Sequence, residues 1–273
     1  MRWAGKLEAA FKKHELITRV ITALVLVPLA LYFIYAGGYI FKGFLVIVAL
    51  LLGHEYECLT HLPKKSRGIF TAGVFATIFW LLTTNDALAL VHGAFMAGVV
   101  GFVVFEIGVI LNKTQMKWAG GGIAYICIPI FSLGVIQMLD GTPYWVFWLL
   151  AVVWACDTGA FAFGKIIGGP RFAPRISPNK TWAGFAGGVV FGAGAGAIAA
   201  YFFGLGDPLI LAFLASLLSI WAQIGDLVES FIKRKFKTKD SGNLIPGHGG
   251  VLDRMDALMF AAPVVALALW LMA

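Results

Sequence analysis

The sequence predicts an all-α integral membrane protein, a polytopic bundle of about nine transmembrane helices with a cytoplasm-facing polar cavity. Three observations carry this. The 273 residues are 60% hydrophobic and 13% charged, with a mean hydropathy of +0.88, more apolar and less charged than soluble domains. Apolar runs long enough to cross a bilayer recur along the whole chain, so the bilayer takes the place of a soluble core. Lys and Arg collect in alternate connections, the asymmetry that orients spans.

Residues 1–17 form an N-terminal interfacial segment. Trp3, Leu7 and Phe11 recur at i, i+4 and i+8, with Lys6, Lys12 and Lys13 largely elsewhere, the pattern of a helix lying on the membrane surface. The apolar run after Arg19 has no A-x-A site and is read as a span, not a cleavable signal.

The first five spans, within 18–143, cover approximately 18–36, 39–55, 69–84, 87–111 and 119–139. Lys42 stands near the start of the second. Glu106 is the clearest buried acid among them. His54, Glu55 and Glu57 are read as exposed polar residues at a cytoplasmic mouth. Residues 144–273 carry the remaining spans, 144–163, 182–204, 208–228 and 255–272, with two basic loops. In the seventh span Gly184, Gly188, Gly192 and Gly196 repeat at i+4, which lets helix backbones approach closely. The spacing serves packing within the chain and a dimer seam equally.

Connections near residues 37, 86, 141 and 206 carry no Lys or Arg; the N-terminus and the other connections do. That places the N-terminus and the basic loops in the cytoplasm. The net charge of +7 therefore belongs to membrane orientation and anionic lipid, not to nucleic acid. Cys58, Cys127 and Cys156 are scattered without a C-x-x-C, so neither a disulfide nor a zinc site is expected.

The chemistry concentrates in residues 226–256. Asp226, Glu229, Ser230 and Lys233 share one helical face. Asp253 and Asp256 share the first turn of the last span. Carboxylates at the edge of a bilayer need a cation, water or one another. Converging oxygen ligands suit a hard divalent ion such as magnesium, and Asp226, Asp253 and Asp256 are its candidate ligands. Between the acid pairs, Lys233, Arg234, Lys235, Lys237 and Lys239 repel unless anions spread among them. Gly242, Pro246, Gly247, Gly249 and Gly250 mark irregular backbone whose N–H groups can cradle phosphate. His248 lies between the glycines, as a phosphate donor, a general acid or a turn-holding residue. A second polar cluster holds Asp157 late in the sixth span, then Ser177, Lys180 and Thr181 before the seventh. A helix N-terminus beside a Lys is a natural phosphate seat. No Walker motif, G-x-S-x-G or H-E-x-x-H is present.

These residues resemble a known family. Ser230, Lys233-Arg234, Lys239-Asp240, Gly242, Ile245-Pro246, His248-Gly249-Gly250, Asp253-Arg254 and Asp256 are similar, in order and spacing, to the signature of the phosphatidate cytidylyltransferase (CDP-diacylglycerol synthase) family. D-T-G-A-F at 157–161 and I-S-P-N-K-T at 176–181 resemble it too. Ala183 and Lys165 depart from its commoner residues. The resemblance implies transfer from CTP to phosphatidic acid, giving CDP-diacylglycerol and pyrophosphate. It also implies magnesium, a second cation such as K+, and a homodimer in the bacterial inner membrane. Asp226, Asp253, Lys233, Arg234 and His248 are then the catalytic candidates. Asp157, Ser177, Lys180, Thr181, Ser230, Lys239, Asp240, Gly249, Gly250 and Arg254 are candidates for binding substrate.

Two other readings share these features. A CTP-dependent lipid kinase would use the same metal site to move the γ-phosphoryl group. A membrane transporter also combines buried acids with broken helices.

Overall fold

The computed structural model describes residues 2–139 and 141–272, with side chains from Thr18 onward. Among these residues nine helices are long and apolar enough to span a membrane. They are α1 (Arg2–Ala36), α2 (Gly38–Thr60), α3 (Lys64–Thr83), α4 (Ala87–Ile110), α5 (Thr114–Leu139), α6 (Tyr144–Ile166), α7 (Trp182–Phe203), α8 (Pro208–Lys235) and α9 (Leu252–Met272). The sequence-derived spans correspond to them one for one. The side chains of the expected interfacial segment, residues 1–17, lie outside those described; its backbone from Arg2 runs unbroken into α1.

Local chemistry sets the helix ends. Asp207 caps α8, accepting from Leu209 N (2.7 Å) and Ile210 N (3.2 Å), with Pro208 in the first turn, where its missing N–H costs nothing. Asp86 caps α4 through Ala89 N at 3.1 Å. Gly204 ends α7 at φ 65°, a conformation glycine adopts without strain. Lys42, near the start of the second span, is buried: its ammonium donates to Thr84 O and to Asn85 Oδ1 (2.8 Å), tying α2 to the α3–α4 connection.

Helix α5 is the hub. Most of its length is buried inside the protein, whereas α1 lies at the periphery with almost none of its span covered. It packs on α4, α3 and α9. The second half is held by α7, whose glycine stripe faces α6 and α8 of the same chain. A side chain at Gly184 would lie 2.7 Å from Ala160 O, and one at Gly188 3.0 Å from Cys156 O. Gly192 abuts Ser219, and Gly196 abuts Ala215. The i+4 repeat is thus used within the chain, as lipid-solvated helices require when close packing replaces the hydrophobic effect.

One element lies outside the all-α expectation. Between α6 and α7, β1 (Arg171–Ala173) pairs antiparallel with β2 (Ser177–Thr181), Arg171 opposite Thr181 and Ala173 opposite Ser177. Pro170, Pro174 and Pro178 exclude a helix here. The hairpin delivers β2 directly to the start of α7.

Candidate active site

At one end of the bundle the C-terminal ends of α2, α6 and α8 meet the N-terminal ends of α7 and α9. A cavity of about 590 Å³ opens there, lined by Asp157, Lys165, Asn179, Lys180, Thr181, Gln223, Asp226, Asp253, Arg254 and Asp256, with Phe161, Phe172 and Phe185 on its apolar side.

Helix α8 runs to Lys235, further than the apolar run alone suggests, and so keeps Asp226, Glu229, Ser230 and Lys233 on one face. Ser230 Oγ donates to Asp226 Oδ1 at 3.4 Å. Lys180, at the end of β2, places its ammonium 2.5 Å from Asp226 Oδ2. Lys233 bridges two acids, 2.6 Å from Glu229 Oε2 and 2.7 Å from Asp253 Oδ1. Glu229 is fully buried, and its Oε1 has no hydrogen-bond partner. Oxygens of Asp226, Glu229 and Asp256 all lie within 4.8 Å of one another. Opposite ligands of magnesium stand about 4.2 Å apart, so small side-chain shifts would bring the three onto one ion. An unpaired buried carboxylate oxygen beside two others is compatible with a hard divalent cation.

Asp253, assigned to the metal from the sequence, lines the same cavity with its carboxylate already engaged. Besides Lys233 it accepts from Ser241 N (3.0 and 3.2 Å) and Gly250 N (2.9 Å), which folds the 236–251 loop onto α9. Thr181 caps α7, its Oγ1 accepting from Gly184 N at 3.1 Å. Asp157 is exposed to the cavity.

The other candidates lie around this centre. Arg234 is exposed and ties α8 to its surroundings, donating to Thr238 O (3.2 Å) and Ile176 O (3.4 Å). Arg254 lines the cavity and donates twice to His248 O, at 2.6 and 3.0 Å. His248 Nδ1 is buried without a partner, in a turn closed by Ile245 and Gly249; Gly249 has φ 85°. His248, Ser177, Lys239 and Asp240 do not line the cavity.

Glu55 corrects the sequence reading. Far from being an exposed cap residue, it is 2% exposed, and it accepts from Leu252 N (2.7 Å), Val251 N (2.9 Å) and Ser241 Oγ (3.2 Å). Its neighbour His54 is exposed. Glu57 is half-buried and accepts from Thr71 Oγ1. Gln223 was also missed; one turn before Asp226, it donates to Phe185 O and Ser219 O, both at 3.3 Å.

Nine apolar helices among the described residues, with an acidic, lysine-edged cavity between α6, the hairpin, α7, α8 and α9, define a polytopic integral membrane protein. Comparison with known proteins gives the family. The profile of the cytidylyltransferase family matches residues 17–272. A phosphatidate cytidylyltransferase of Brucella suis is 37% identical over 258 residues, 92% of each chain. One from Staphylococcus haemolyticus is 31% identical over 263 residues, 94% of this chain and 98% of the relative. The chain belongs to the cytidylyltransferase family, and it is a nucleotidyltransferase.

Proposed function

We propose that the protein transfers the cytidylyl group of CTP to phosphatidate, giving CDP-diacylglycerol and pyrophosphate. The observation that carries this reading is the convergence of Asp226, Glu229 and Asp256 beside Lys180 and Lys233 in a chain of this family. A phosphate oxygen of the lipid attacks the α-phosphorus of CTP. The new P–O bond forms as the bond to the β-phosphate oxygen breaks, and pyrophosphate leaves. The nucleophile is already anionic, so no serine or strong base is needed. Catalysis is positioning and charge neutralisation.

Lys180 and Lys233, now holding carboxylates, are placed to turn to substrate phosphates. The start of α7, capped by Thr181, offers backbone N–H groups to the same anions. Asp226, Glu229 and Asp256 would hold magnesium, and Asp253 would add a further carboxylate beside them if Lys233 turned to a phosphate. When bound, the ion would neutralise phosphate charge in the transition state. Phe161, Phe172 and Phe185 give the cavity an apolar side suited to a lipid substrate.

The positive-inside pattern supports a cavity that faces the cytoplasm, the side from which the nucleotide would enter. A homodimer and a second cation such as K+ belong to the same reading; mass measurement in detergent and activity with K+ replaced test them.

Labelled CTP decides the reaction. With purified protein, phosphatidate and magnesium, α-label should enter the lipid and pyrophosphate should appear in detergent without any gradient. Entry of γ-label would instead make the protein a lipid kinase. Substrate movement across sealed vesicles without CTP turnover would make it a transporter.

A further inference from the structure

We infer that Glu55, contributed by α2, is a positioning residue for the Asp253 side of the site, 198 positions away in sequence; its kinetic consequences rest on the reaction proposed above. Its carboxylate meets the two backbone N–H groups that open α9, Val251 and Leu252. The helix itself leaves such groups unsatisfied, and they carry the positive end of its dipole. The same carboxylate accepts from Ser241 Oγ, while Ser241 N donates to Asp253. Glu55 and Asp253 therefore grip one loop residue from two sides, and the position of Asp253 depends on that grip.

The glycines of the loop fit this arrangement. A Cβ on Gly242 would fall 2.8 Å from Glu55 Oε1, and one on Gly250 2.6 Å from Glu55 Oε2. No side chain fits between the loop backbone and the carboxylate. These two glycines admit Glu55, whatever phosphate-cradling role the others have.

The chemistry requires a carboxylate in particular. Oε1 accepts from one donor and Oε2 from two. Glutamine has the same shape but only one acceptor oxygen, and its amide would point a donor at a donor. Leaving a buried donor unmatched is costly.

The test is Glu55→Gln, read two ways. Hydrogen exchange needs no assumption about the reaction: protection of the Val251 and Leu252 amides should fall, with that of the outer helices unchanged. In steady-state assays with CTP, phosphatidate and magnesium, kcat per folded enzyme should fall about 10- to 100-fold, as for other outer-shell partners. The magnesium concentration for half-maximal rate should rise, while KM for phosphatidate stays within about twofold, the scatter expected of an untouched subsite. Gly250→Ala, whose Cβ would meet the Ser241 hydroxyl first and the Glu55 carboxylate next, should reproduce this by breaking the contact between them, and the double variant should be no worse than either single one. If Glu55→Gln fails to accumulate, Ser241→Ala, which removes one donor, should show the same pattern more weakly. Unchanged exchange at residues 251–252 overturns the proposal. So does a loss confined to the amount of folded protein, with kcat and magnesium dependence intact. Absence of CTP turnover in the unaltered protein would instead strike the proposed reaction and leave the exchange result standing.

Discussion

The ammonium of Lys180 lies 2.5 Å from Asp226 Oδ2, linking the end of the β1–β2 hairpin to the acidic face of α8. The pair joins two segments 46 positions apart in the chain, and each partner is about a quarter exposed to the cavity. Lys180→Ala should leave the helices in place and lower kcat/KM for CTP about 100-fold, the usual scale for a lost transition-state donor. Steady-state kinetics at varied CTP check it. A loss under about threefold, worth less than 1 kcal/mol, would remove Lys180 from phosphate binding.

Asp253→Asn keeps the shape of the side chain but loses the charge that faces Lys233. The variant should insert and fold, since Ser241 N and Gly250 N retain an acceptor oxygen. Turnover should fall by about 100-fold or more. Pyrophosphate release per folded enzyme is the measurement, and near-normal release would take Asp253 out of the site.

Chelation should abolish pyrophosphate release and added magnesium should restore it. Asp256→Asn should raise the half-activating magnesium concentration at least about tenfold. A magnesium titration of both proteins decides this; identical curves would mean that the Asp226–Glu229–Asp256 cluster holds no catalytic ion.

The glycine stripe of α7 makes a separate prediction about stability. Gly196→Leu drives a branched side chain into Ala215 and α8. It should destabilise the protein by about 1–3 kcal/mol, read as a lower unfolding temperature in detergent. The kcat of the remaining folded protein should stay close to normal, because Gly196 lies several turns from the cavity.

The spans were legible because hydropathy and charge alternation are properties of contiguous residues. The stripe from Gly184 to Gly196 was readable for the same reason: it follows a fixed period along one helix. Glu55 was not. Its partners, Ser241, Val251 and Leu252, come 186 to 197 positions later, and a single acid at a span end reads as exposed until those partners are known. The hairpin hid behind its prolines, which exclude a helix without specifying a pairing. Asp226 and Asp256 were found as acids on two helices, but the sequence could not say that Glu229 would be drawn in with them and that Lys233 would stand between Glu229 and Asp253.

Lys180 and Lys233 also bear on how the protein is made. Carboxylates released into a bilayer alone would resist partitioning from the translocon. Here each of the two lysines brings a tethered counter-ion, so a newly synthesised chain can fold before it meets any free ion. Two lysines do not balance four acids: Asp226, Glu229 and Asp253 each stand beside one of them, whereas Asp256 has no ion pair among the described residues and is where an incoming cation would relieve the most repulsion.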